Sequence, residues 1–167
     1  SATLLGEAQW RWLKAQLAEP AELRLIASSG QVVADEKGMD EWGNYPVERR
    51  RLFDLIASTG ADGVILFSGN VHFAEISRTD EGPYPLYDFT SSGLTHINEE
   101  YPLAPNRYRI AGPTVDLNFG LVEIDWENGS SPAVTLRAIG LDGGTAFEMK
   151  LHVDELFSGS SSSERTH

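Results

Sequence analysis

The chain has 167 residues, 41% of them hydrophobic, and 25 acidic against 13 basic side chains give it a net charge of −12. That length buries one sizeable core, while the negative charge disfavours nucleic-acid binding, which needs a basic face for phosphates, and docking on anionic membranes. With no cysteine, disulfides and thiolate metal sites are excluded.

An acidic protein that handles phosphate usually needs a cation between the two. No run approaches the roughly 20 apolar residues of a membrane span. Residues 1–6 lack the basic start and apolar core of a signal peptide, so the reading is of a soluble protein.

Residues 6 to 18 read as an amphipathic helix with Trp10, Leu13 and Leu17 on one face, Gly6 at its N-cap and Pro20 beyond its end. Leu23 to Ser28 reads as a strand, and Asp35 to Tyr45 as an irregular acidic loop containing Trp42. Pro46 suits the first turn of a second helix, 46 to 59, with Gly60 as its left-handed terminator. Its apolar positions are Leu52, Phe53, Leu55 and Ile56, and Glu48, Arg49, Arg51 and Asp54 supply its polar faces. Val64 to Ser68 is a short apolar run without alternation, the pattern of a strand buried on both faces.

Strand, helix and strand in this span predict a right-handed βαβ unit with neighbouring parallel strands. Such sheets build sites outside the carboxyl ends of their strands. The topology therefore places Ser29 and Gln31 near Asn70 and His72, about forty residues later in sequence.

The second half changes character. Phe73 to Arg78 and Tyr87 to Thr90 read as strands, and Leu94 to Pro113 as a long connection with three prolines. An antiparallel meander follows. Its alternating sets are Val122, Ile124 and Trp126; Val134, Leu136 and Ala138; and Phe147, Met149, Leu151 and Val153. Asn128-Gly129 and Asp142-Gly143 mark its turns. The domain is expected over 1–157, with 158–167 a disordered serine-rich tail.

Chemistry concentrates at residues 70 and 72. An imidazole binds divalent metals and an Asn carbonyl adds an oxygen ligand to harder ones. Glu75 either orients His72 or stands on a strand face in water. His96, which follows Ser91-Ser92-Gly93-Leu94-Thr95, either reaches a site or sits in a loop, the loop being the preferred reading; His152 reads as a solvated strand residue, and His167 belongs to the tail. G-x-S-x-G, Walker A and G-x-G-x-x-G are absent.

Segments 4–13, 25–32, 42–49, 68–75, 87–94 and 118–125, in this order, resemble the carboxyl-terminal part of a PhoD-type alkaline phosphatase, a branch of the calcineurin-like metallophosphatases. The resemblance implies part of an α/β/β/α sandwich, a βαβ unit followed by an antiparallel β meander. It implies hydrolysis of phosphate mono- or diesters at a two-metal centre using divalent or trivalent ions (Ca, Fe, Mn, Zn or Mg). It makes Asn70 and His72 catalytic metal ligands, with Asn70 where the family usually carries Asp. By the same resemblance Ser29, Gln31 and Asn118 contact substrate.

The family's amino-terminal ligand motifs do not occur here. One wall of the site is therefore expected from this chain, with a missing amino-terminal half or self-association completing it. Relatives are often secreted or periplasmic. The alternative is a non-catalytic fragment that acts as a folding or self-association module; a small complete esterase lacks a nucleophile.

Overall fold

The computed structural model describes residues 3–38, 40–100 and 104–159. Helix α1 (Glu7–Ala18) starts after an extended Gly6 and buries Trp10, Leu13 and Leu17, as their spacing predicts. Helix α2 (Pro46–Thr59) has Pro46 in its first turn and ends at Gly60, which adopts φ 64°. A glycine reaches that left-handed conformation without a Cβ penalty.

The expected polar faces of α2 need correction, because Glu48 and Arg49 are buried. Glu48 accepts hydrogen bonds from Trp10 Nε1 (3.0 Å) and the Leu5 amide (3.1 Å), tying α1 to α2. Arg49 donates to the carbonyls of Val32 and Val33 at 3.0 and 2.9 Å and pairs with Glu81 at 2.9 Å. Satisfied partners are what allow these charges inside.

Eight strands form two sheets. They are β1 (Arg24–Ala27), β2 (Val64–Ser68), β3 (Ala74–Thr79), β4 (Leu86–Ser91), β5 (Arg109–Thr114), β6 (Asn118–Asp125), β7 (Ala133–Gly140) and β8 (Thr145–His152). The first sheet has the order β1-β2-β4-β3-β5 and the second β6-β7-β8. Strands β1, β2 and β4 run parallel; β3 is antiparallel to β4 and β5. The predicted parallel pairing of β1 with β2 is present, with Arg24 opposite Val64 and Ala27 opposite Phe67.

Strand β5 lies inside the segment read as a connection. Its Gly112 and Pro113 resemble a loop signal, and an edge position is where a sheet tolerates proline. The meander follows the expected alternation, except that β6 ends at Asp125, leaving Trp126 outside it and 53% exposed. Val153 likewise leaves β8 for a 3₁₀ turn, Val153–Leu156, whose Leu156 carbonyl accepts from the Gly63 amide. Ser158, the first residue of the expected tail, donates its amide and hydroxyl to Asp62 at 2.8 and 3.0 Å. Residues 160–167, including His167, lie outside the described residues.

The register separates two faces of the first sheet. Ile65, Tyr87, Phe67, Phe89 and Ile76 share one face, and the Phe89 ring meets Phe147 of β8 at 6.4 Å. This is the interface between the sheets. The opposite face carries Leu66, Ser68, Asp88, Thr90, Glu75 and Ser77, beneath the helices and the 31–34 segment. The layers are helices, mixed sheet and antiparallel sheet, as an α/β sandwich requires. Sheet two places β6 against β4 and β8 against β5, so the unpaired edges β1 and β6 lie on the same side.

Candidate functional site

The carboxyl ends of β1, β2 and β4 meet at one corner. The Ser28 amide donates to the Phe67 carbonyl at 2.8 Å, carrying the pairing past the end of β1. A Cβ placed on Gly69 would stand 3.6 Å from both the Ser29 carbonyl oxygen and Ser92 Cβ, so three strand exits touch here. The β2–β3 link then turns through Asn70 (φ 72°) and His72 (φ 62°), the two non-glycine residues with positive φ among those described. That conformation costs an ordinary L residue about 1–2 kcal/mol and favours Asn. Such conformations collect at functional sites, and both residues are exposed.

The corner is fastened through the backbone. The His72 amide donates to Ser92 Oγ at 2.9 Å, and the Asn98 amide donates to the His72 carbonyl at 3.2 Å. These bonds bring the loop after β4 onto His72, and the rings of His72 and His96 stand 5.8 Å apart, tilted by 36°. Of the two sequence readings of His96, a residue that reaches the site and a plain loop residue, this placement favours the first. His96 follows a parallel strand that leads into Ser92-Gly93, as His72 follows one that leads into Gly69. The other described histidine, His152, is half-buried in the second sheet, its Nδ1 3.4 Å from Asn128.

The structure brings Ser29 and Asn70 together on the wall of a cavity of about 480 Å³, with the buried Trp42 and the exposed Trp12. Gln31 and Asn118 are placed differently. Gln31 is buried, donating to Glu75 (2.8 Å) and Thr90 (2.9 Å) and accepting from Lys37 (2.8 Å). Asn118 is buried behind Gly93 and donates to the Asp116 carbonyl at 2.8 Å. Both brace the corner from beneath.

Neither sequence reading of Glu75 holds. Its carboxylate is fully buried and takes Gln31, Lys37, Asn106 and Arg109 as partners, the last at 2.5 Å. Burial pushes its pKa up, but the Lys37 charge and the hydrogen bonds from Lys37, Arg109 and Gln31 hold it below the usual carboxylate value. Burial likewise holds Lys37 below the usual ammonium value, against the pull of Glu75. Next to this cluster, Asp88 accepts from the amides of Val32 and Val33 (2.7 and 3.0 Å) and from Ser68 Oγ (2.6 Å). Burial raises its pKa, and those three donors oppose the shift.

Asn70 and His72 lie at the corner, with His96 beside His72. Among the described residues no group of three or more His, Asp or Glu is placed to hold an ion.

A profile of PhoD-like phosphatases matches residues 1–105. Among solved structures the fold is similar to one described as "Structure of PhoD", with a TM-score of 0.58 and 17% identity. The match covers 90% of this chain and 36% of that one, so the chain spans about a third of its length. No curated protein matches the sequence.

Proposed function

Because the chain belongs to the PhoD-like phosphatase family, we propose that its strand-end corner is one wall of a metal-dependent site that hydrolyses phosphate mono- or diesters. The observation that carries this reading is the convergence of Ser29, Asn70 and His72 at the ends of parallel strands, with the latter two in the left-handed conformation. In that reaction water adds to phosphorus, the bond to the alcohol oxygen breaks, and the alcohol leaves with a proton. Bound metal ions would supply Lewis acidity and lower the pKa of water. Within this chain His72 and the Asn70 carbonyl would be the ligands, and Ser29 would donate to a phosphoryl oxygen. Gln31 and Asn118 set the floor on which those groups stand, and the cavity beside Ser29 takes the alcohol portion of the ester.

A two-metal centre would need further donors from outside the residues described, a reading supported by the share of the PhoD structure that this chain spans. The test is hydrolysis of 4-nitrophenyl phosphate and bis(4-nitrophenyl) phosphate with added Mg, Ca, Mn, Zn or Fe, by the chain alone and mixed with the amino-terminal portion of a PhoD-like relative. Turnover removed by a chelator and by His72→Ala, and raised by Asn70→Asp, is expected. Turnover indifferent to both chelator and His72→Ala would overturn the reading.

A second reading is favoured by the edge side of the molecule. Leu25, Leu94, Phe119 and Leu121 are 50%, 68%, 46% and 36% exposed near the unpaired edges of β1 and β6. Free edges and apolar patches of this kind recruit partners. In that case the chain is a self-association module without turnover, and sedimentation of a clean monomer at high concentration counts against it.

A further inference from the structure

We propose that His96 is a metal ligand, and that His72 and His96 together form a two-imidazole site for a borderline transition-metal ion such as Zn²⁺. The proposal deepens the phosphatase reading by adding a residue from a third strand end, and its test does not need turnover.

Three observations carry it. The two rings stand 5.8 Å apart between centroids and only 36° from parallel. That separation suits two imidazoles that ligate one ion after small side-chain rotations. Second, the backbones beneath them are fixed to each other by the Asn98 amide on the His72 carbonyl, and by Ser92 Oγ, which accepts from the His72 amide. The pair therefore does not depend on a chance approach of two long loops. Third, Thr95 Oγ1 lies 2.9 Å from His96 Nδ1. A partner on one ring nitrogen sets the tautomer and leaves the other, Nε2, to ligate.

The donor chemistry selects the ion. Imidazole nitrogen suits Zn, Fe, Ni and Cu, whereas Ca²⁺ and Mg²⁺ take oxygen ligands. Two neutral ligands also leave the positive charge of the ion uncompensated, so that an anionic phosphoryl oxygen is a fitting further ligand.

The experiment is calorimetric titration of the full chain with Zn²⁺ and, separately, Ca²⁺ at pH 7.5, with the histidine ring resonances followed by NMR. One Zn²⁺ is expected to bind with joint shifts of the His72 and His96 rings. His96→Ala should weaken binding at least tenfold, and His72→Asn, which keeps a residue tolerant of positive φ, should do the same. His152→Ala should leave affinity unchanged, and Ca²⁺ should not compete. An unchanged Zn²⁺ affinity in His96→Ala, with the far-ultraviolet spectrum of the wild type, overturns the proposal.

The two readings fail separately. Chelator-sensitive hydrolysis with unaltered Zn²⁺ binding in His96→Ala keeps the phosphatase and removes this site. Zn²⁺ held by both rings without hydrolysis keeps the site and removes the phosphatase.

Discussion

Asn70 and His72 precede Glu75 by five and three residues, yet the two polar regions they belong to are built on opposite terms. Glu75 lies on the helix-side face of the mixed sheet, where its oxygens are met by Lys37, Arg109, Gln31 and Asn106 and no water reaches it. Asn70 and His72 lie past the strand end, exposed and in a backbone conformation that works against them. In the network Glu75, Gln31, Lys37, Asn106 and Arg109 are bonded to one another, and these side chains cannot turn to a ligand without losing a bond. At the corner the side chains are open to a ligand. Polar residues at the end of one sheet thus divide into those that hold the strands and those left facing solvent.

The largest expected effect comes from opening the saturated side. Glu75→Gln leaves Lys37 and Arg109 facing an uncharged group in a buried setting, and removing one member of a buried ion pair costs about 3–5 kcal/mol. Urea unfolding should show that loss at neutral pH. Because the folded Glu75 pKa lies below its usual 4.5, its contribution is fully present above that value. It is lost as pH falls through the folded pKa. The gap between wild type and Glu75→Gln should therefore narrow as pH drops below 4.5. A gap that stays constant down to strongly acid pH would mean that the carboxylate charge is not what stabilises the network.

A single buried hydroxyl provides the intermediate case. Tyr84 donates to the Ala61 carbonyl at 2.5 Å and accepts from the Val64 amide at 3.2 Å, holding the loop before β2. Burial pushes its pKa up to about 12. Tyr84→Phe keeps the ring and strands two backbone groups, so a loss of about 1–3 kcal/mol is expected in the same unfolding experiment. A value equal to that of Glu75→Gln would show that charge adds nothing to the network beyond its hydrogen bonds.

This division explains what the sequence made legible. The period of α1, the Pro46 and Gly60 ends of α2 and the unbroken run at β2 are local signals, and each gives an element close to its expected place. The meander was legible for the same reason. The approach of Ser29 to Asn70 followed from topology, because parallel neighbours end together. Glu75 was misplaced because period alone gives a side chain's face and not what covers it. Its partners Lys37, Asn106 and Arg109 come from two loops and an edge strand, more than thirty residues away. Strand β5 was hidden by Gly112 and Pro113, whose turn signal an edge overrides. For His96 the loop reading was preferred because the sequence does not show that β4 runs parallel to β2 and brings its exit onto His72.

The smallest effect tests the open side. His72→Gly relieves a left-handed residue that has a Cβ, a gain of about 1–2 kcal/mol, offset by the extra unfolded-state entropy of glycine, about 0.4–1 kcal/mol. The net expectation is a stabilisation of no more than about 1 kcal/mol. Asn70→Gly should lie nearer zero, because Asn already tolerates positive φ. Both are read from thermal unfolding of the metal-free chain, so that ligand binding does not enter. If either substitution destabilises by more than about 1 kcal/mol, the corner contributes contacts to the fold and the contrast with Glu75 fails. If both match expectation while His72→Gly also abolishes Zn²⁺ binding, the imidazole is kept there at a cost in stability, which selection for the fold alone would not maintain.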